Sequence, residues 1–205
     1  MKRLATVLLA APLVLTGCLV PYGGENLRGA ATAVPGHGHS RLDAAGIEQI
    51  KASKVARLDM SSGQLTKKSV GLEDGSSEAP DVLLRDGLMA LEIQGPSGTV
   101  SAETDRLRLN GMNTGSDFSE VSYFLTAPSL EDYVALIRDG VDRYGIDRES
   151  AEEWIQSISS RSDDKSDFAI TPGTSTGLEI TYDLRYDGSK ETQVVIVHVN
   201  PLPTH

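Results

Sequence analysis

The stretch from Leu178 to Val199 constrains the fold more than any other. Leu178, Ile180, Tyr182, Leu184 and Tyr186 alternate with Glu179, Thr181, Asp183 and Arg185, the period of a strand with one face on a core and the other in water. Asp187-Gly188 then gives a turn signal, and Val194 to Val199 is apolar at every position except His198. A strand without a wet face belongs in the middle of a sheet. Such a sheet needs a cover, and the preceding segment supplies one. Leu130, Tyr133, Val134, Ile137, Val141 and Tyr144 fall on one face of an α-helix, with Ser129 and Asp132 at the spacing of a capping box and Gly145 as its stop. Asp147 can cap a second helix, with Ile146 as its staple onto Ala151, and Ala151, Trp154, Ile155 and Ile158 line its buried stripe.

Upstream, the pattern predicts a short helix and a strand between Asp43 and Met60, then a partner strand within Gln64 to Leu72. Val82 to Ile93 reads as strands around the hairpin signal Asp86-Gly87. Gly95-Pro96-Ser97-Gly98 turns the chain into a strand over Thr99 to Leu109, and Ser119 to Thr126 forms another. Strands, two helices, then strands is an α+β order: a mainly antiparallel sheet with a two-helix hairpin packed on one face. At 205 residues the chain is long enough for one such domain and too short for a full TIM barrel or a two-domain dehydrogenase. With 29 acidic against 19 basic residues, it lacks the positive surface that a phosphate backbone selects, so nucleic acid is not an expected partner.

The first eighteen residues carry an address. Lys2 and Arg3 precede an uncharged run from Leu4 to Leu15, which as a helix rises only about 18 Å, well short of a hydrocarbon core of roughly 30 Å. The pattern is that of a signal peptide rather than a permanent span. Its end, Leu15-Thr16-Gly17-Cys18, resembles the lipobox of bacterial lipoproteins. The resemblance covers the signal alone and implies that residues 1–17 are removed and the Cys18 thiol carries a diacylglycerol, often with a further acyl chain on the new amino end. Cys18 is the only cysteine, so its acylation leaves no thiol for a disulfide and the domain depends on its core. Removal of residues 1–17 takes away two basic and no acidic residues and moves the formal charge from −10 to −12. An anionic leaflet repels such a domain, and the lipid is what holds it to the membrane. Residues 18–42 read as the lipidated cysteine and a Gly-, Ala- and Pro-containing tether, and 43–205 as the single domain. The expected location is the extracytoplasmic face of a cell membrane.

Residues with catalytic potential are scattered. His37-Gly38-His39 lies in the tether, and the other histidines are His198, in a strand pattern, and His205, the last residue; a zinc site needs three or four supported ligands, so no metal is expected. Gly173-Thr174-Ser175-Thr176-Gly177 matches the GxSxG string of a nucleophile elbow, with Asp183 or Asp187 and His198 following in order. An elbow needs a helix directly after the serine to help hold an oxyanion, and here an alternating strand follows. The acidic groups Asp163, Asp164 and Asp167, and Glu73 and Asp74, lack the ligand alternation of an EF-hand and read as solvated surface. The chain carries no P-loop, dinucleotide fingerprint or HExxH string, so no cofactor is expected.

The aromatic residues pack helices onto the sheet, and Trp154, Tyr133 and Tyr182 could line a concave pocket between them. The expected role is a non-catalytic, lipid-anchored domain that binds an envelope protein or a wall component. A carrier of a small apolar or lipidic ligand is the alternative, and an envelope hydrolase comes third.

Overall fold

A computed structural model describes residues 38–111 and 114–203. The signal segment, Cys18, most of the tether, His37 and His205 lie outside the described residues. The fold is α+β with mostly antiparallel strands. In chain order it runs α1 (Ala44–Ser53), β1 (Val55–Asp59), β2 (Leu65–Thr66), a 3-10 turn (Lys68–Val70), β3 (Asp81–Leu83), β4 (Met89–Gln94), β5 (Thr99–Thr104), β6 (Arg106–Asn110), β7 (Asp117–Phe118) and β8 (Glu120–Ala127). The helices α2 (Leu130–Tyr144) and α3 (Arg148–Ser160) follow, then β9 (Lys165–Ala169), β10 (Glu179–Asp187) and β11 (Gln193–Asn200).

Six strands form an antiparallel sheet in the order β3-β6-β8-β11-β10-β9. β11 has β8 and β10 as neighbours, as its apolar run requires, with Val195, Val197 and Val199 fully buried on one face. Its other face is half-buried rather than enclosed: Val194, Ile196 and His198 look out beside Phe124 of β8. A smaller sheet has the order β1-β4-β5, with β1 parallel to β4. Here Met89, Leu91 and Ile93 are buried and their alternates Ala90, Glu92 and Gln94 are exposed, the signature of one wet face.

Asp86-Gly87 does not join a hairpin. β3 pairs with β6 and β4 with β1 and β5, so the turn carries the chain from one sheet to the other. Likewise the single strand expected over Thr99 to Leu109 bends at Asp105 and serves both sheets. Buried Thr104 makes that corner possible. Its hydroxyl lies 2.8 Å from the Phe124 carbonyl and 2.9 Å from the Arg106 carbonyl and accepts from the Arg106 amide at 3.1 Å, satisfying main-chain groups that the bend removes from the ladders. In the stretch read as a partner strand, only Leu65–Thr66 pair, with β7, and the 3-10 turn follows.

The helices begin and end where their capping residues stand. The Ser129 hydroxyl accepts from the Asp132 amide at 3.1 Å, and the Asp147 carboxylate from the Ser150 amide at 2.8 Å. Gly145 closes α2 in the left-handed region, φ 72°, with its amide bonded to Val141 O. Tyr133, Ile137, Val141 and Tyr144 are buried on α2, and Ala151, Trp154, Ile155 and Ile158 on α3. Arg138 of α2 makes a two-pronged pair with Glu152 of α3, both bonds 2.9 Å. Just ahead of α1, Ser40 and Leu42 are tied to the domain through Arg57 and Val70, and Leu42 is buried, so the ordered packing begins slightly before Asp43.

Candidate functional site

The C-terminal half of α2 lies across β10. The Gly140 position explains how: a Cβ there would come within 2.6 Å of the Tyr182 ring, so the absent side chain lets that ring slide beneath the helix. At the end of α2, the Tyr144 hydroxyl donates to the Ser101 carbonyl at 3.0 Å and accepts its amide at 3.3 Å. Arg143 reaches the same carbonyl at 3.1 Å. β5 is the outer strand of the smaller sheet, and these two side chains take up main-chain groups that an edge leaves open.

Between α2, β5, β8 and β10 remains a half-open hollow of about 300 Å³. Tyr123, Tyr144 and Tyr182 line its inner part, and Leu125, Leu136 and Ala102 supply apolar wall. Exposed Glu103 and Asp139 also line it, together with Arg143. The Arg143 guanidinium is held by Asp139 Oδ2 at 3.1 Å and lies 5.0 Å over the Tyr144 ring. The Tyr144 and Tyr182 rings are 6.5 Å apart.

The Tyr123 hydroxyl is buried and completes no hydrogen bond. Its polar neighbour is the Tyr144 phenol, which is close enough for the two hydroxyls to act on each other's acidity while Tyr144 also engages Ser101. Burial, reinforced by the Tyr182 and Tyr144 phenols, pushes the Tyr123 phenol well above its ordinary acidity range. Burial likewise raises Tyr182, with Tyr144 and Asp139 adding to it. Both phenols keep their protons at neutral pH.

Of the three residues expected to line a pocket, Tyr182 does so. Tyr133 and Trp154 lie outside that hollow, in packing against other aromatics: Tyr133 is 5.8 Å from the Tyr186 ring, and Trp154 stacks on Phe168 at 5.4 Å. The Tyr133 hydroxyl and the Trp154 indole N–H are both buried, and Trp154 and the Arg185 main chain are the polar neighbours of the Tyr133 hydroxyl. Tyr123, Tyr144, Arg143 and Asp139 join the site only through tertiary structure. The sequence signal that could have found them is Gly140, a glycine on the buried stripe of an otherwise strong helix, which marks a close approach.

A second hollow, about 280 Å³, lies on the open face of the large sheet and includes Arg108, Ser122, Phe124, Ile196 and His198. Of its polar lining, Arg108 approaches Asp81 at 3.7 Å, and His198 Nδ1 is 3.2 Å from Glu120 Oε1.

Ser175 is a structural residue. Its hydroxyl donates to the Arg143 carbonyl at 3.0 Å, the loop turns through Gly177 at φ 77°, and β10 follows instead of a helix. Thr176 O accepts the Ser97 amide at 2.9 Å, so the GxSxG segment ties the end of α2 to the β4–β5 turn. Asp167, from the acidic stretch, sits on β9 and pairs with Arg185 at 3.1 Å. His39 lies 3.8 Å from Asp59. Among the described residues no group of three or more His, Cys, Asp or Glu side chains is placed to hold a metal, and no helix is long and apolar enough to cross a membrane. The chain matches no protein-family model, and no curated protein or solved structure is significantly similar to it.

Proposed function

We propose that this protein is a lipid-anchored extracytoplasmic domain that binds a component of the cell envelope without transforming it, and that the hollow under α2 is its binding element. The observation that carries the reading is the half-open hollow of about 300 Å³ itself, in which apolar wall from Ala102, Leu125 and Leu136 meets the charged Glu103, Asp139 and Arg143. That volume falls at the small end of ligand sites, roughly 300–1,000 Å³. In this reading α2 and α3 act as one hairpin on the inner face of the large sheet. Gly140 against Tyr182 and the Arg138–Glu152 pair support that arrangement. Carriage of a wholly apolar or lipidic molecule is the weaker alternative, because Glu103, Asp139 and Arg143 share the hollow and would lose water against such a cargo.

The Leu15-Thr16-Gly17-Cys18 string supports the anchor. Cys18→Ser should move the protein from the membrane to the soluble extracytoplasmic fraction; an unchanged distribution refutes the anchor. For the binding element, a photo-crosslinking amino acid is placed at Leu136 in the hollow or at Lys51 on α1. Discrete envelope adducts from position 136 alone support the reading. Equal adducts from both positions, or none from 136, refute it.

A further inference from the structure

The edges of the two main sheets are not alike. β5 gives up its main-chain groups at Ser101 to Tyr144 and Arg143, and Ser40 bonds both main-chain groups of Arg57 on β1. β3 is three residues long and follows Pro80, both devices that blunt an edge. β9 is left open. It pairs with β10 along five residues, all of them exposed except half-buried Ser166. The Ile170 amide donates to Tyr182 O, and Asp164 O accepts the Gly188 amide. Even-numbered residues therefore turn their main chain toward β10, and Lys165, Asp167 and Ala169 turn theirs outward.

The charges on that edge decide what can pair with it. Arg185 is shared by two carboxylates, Asp183 at 2.6 Å and Asp167 at 3.1 Å, so the cluster is one positive charge short. Two residues from Asp167, Lys165 makes no direct ion pair among the described residues. An antiparallel strand with a lysine and an aspartate two residues apart answers both, and β9 is itself such a strand. We propose that two copies of this chain join β9 to β9 about a two-fold axis at Ser166, extending the large sheet across both. Centring on Asp167 or on Lys165 would set like charges directly opposite, which is destabilising. Centring on Phe168 would leave Lys165 past the end of the partner strand. Only the Ser166 register sets each Lys165 opposite the partner's Asp167, with their outward main-chain groups exchanging hydrogen bonds. It also brings the partner strand alongside Phe168, which is 39% exposed.

The test is disulfide trapping with copper–phenanthroline in cells producing the full chain. In this register the two Ser166 residues form a non-hydrogen-bonded pair with Cα atoms about 4.5 Å apart, inside the range of about 4.4–6.8 Å that a disulfide spans. Ser166→Cys should therefore give a covalent dimer well above the parent chain, whose Cys18 reports the background, and above Lys165→Cys and Asp167→Cys. Dimer no greater than background, equal trapping at all three positions, or stronger trapping at 165 or 167 overturns the proposal. In the Ser166→Cys background, Lys165→Glu or Asp167→Lys alone turns both ion pairs repulsive and should reduce the dimer about 5-fold or more, the value of two exposed pairs. Produced together with different tags, these two variants are complementary and should recover the dimer as the mixed species. Recovery also shows that both fold. No loss from either single variant, or no mixed dimer on co-production, overturns the pairing.

Discussion

Gly173→Ala isolates the structural role of the loop that resembles a nucleophile elbow. Gly173 is buried, and a Cβ at that position would overlap the Tyr144 carbonyl oxygen and lie 2.6 Å from both the Gly145 carbonyl carbon and the Ile146 nitrogen. These are main-chain atoms at the end of α2, which cannot rotate away, so the loop itself must retreat. Three bonds are then at risk: Gly173 N to Ile180 O at 3.0 Å, Ile180 N to Gly173 O at 2.8 Å, and Ser175 N to Tyr144 O at 3.2 Å. At about 1 kcal/mol each, their loss destabilises the fold by about 3 kcal/mol. The reduced entropy of the unfolded chain offsets about 0.4–1 kcal/mol of that. The net loss of about 2–3 kcal/mol lowers Tm by roughly 4–12 °C for a chain of this size. Far-UV circular dichroism melts and urea midpoints on the full chain measure it. Ser175→Ala is the control: it removes one exposed hydroxyl bond to Arg143 O and should change stability by at most about 1 kcal/mol. A Gly173→Ala melt within 1 °C of the parent would refute the close-packing argument.

Gly140→Ala sets two effects against each other: alanine gains about 1 kcal/mol of helix propensity, while overpacking against the Tyr182 ring costs about 1–3 kcal/mol. Because that ring is only 1% exposed, the clash should win by about 1 kcal/mol and lower Tm by roughly 2–4 °C; a rise in Tm would show that the ring can tilt into the hollow. At high pH the five described tyrosines should resist ionisation, since burial raises each phenol. A raised folded-state value contributes stability that is complete below the unfolded value, near 10, and is lost as pH rises above it. Absorbance at 295 nm should therefore lag behind free tyrosine and jump with unfolding, and a smooth titration near pH 10 in the folded protein would count against the burial. At low pH Asp81 behaves in the opposite sense. The Arg106 hydrogen bond holds its carboxyl below the usual range, so its stabilisation is present above about pH 3.9 and disappears as pH falls through the lower folded value. Asp81→Asn should flatten that acid limb slightly, as suits a partly exposed pair, and an unchanged urea midpoint profile between pH 2 and 5 would show that the pair contributes nothing.

Local chemistry determined a large part of this protein in advance. The alternation at 178–186, the apolar run at 194–199, the stripes of α2 and α3, and the caps at Ser129, Gly145 and Asp147 depend on neighbours within a few residues, and each element formed where those neighbours allow. Gly95-Pro96-Ser97-Gly98 is a hairpin turn for the same reason, with Gln94 opposite Thr99. Strand partners are another matter. The parallel β1–β4 pair, the bend at Asp105 that shares one strand between two sheets, and the edge strand β9 inside a charged stretch all depend on residues distant in sequence. Aromatic residues were legible as core, but which of them would meet a hollow was not. Tyr123, Tyr144 and Tyr182 come from two strands and a helix, and only the passage of α2 over Tyr182 at Gly140 brings them together. Periodicity fixes which side of an element faces the core, whereas the distance between two elements is set by the shapes that meet there. That distance sets the three phenols beside one hollow.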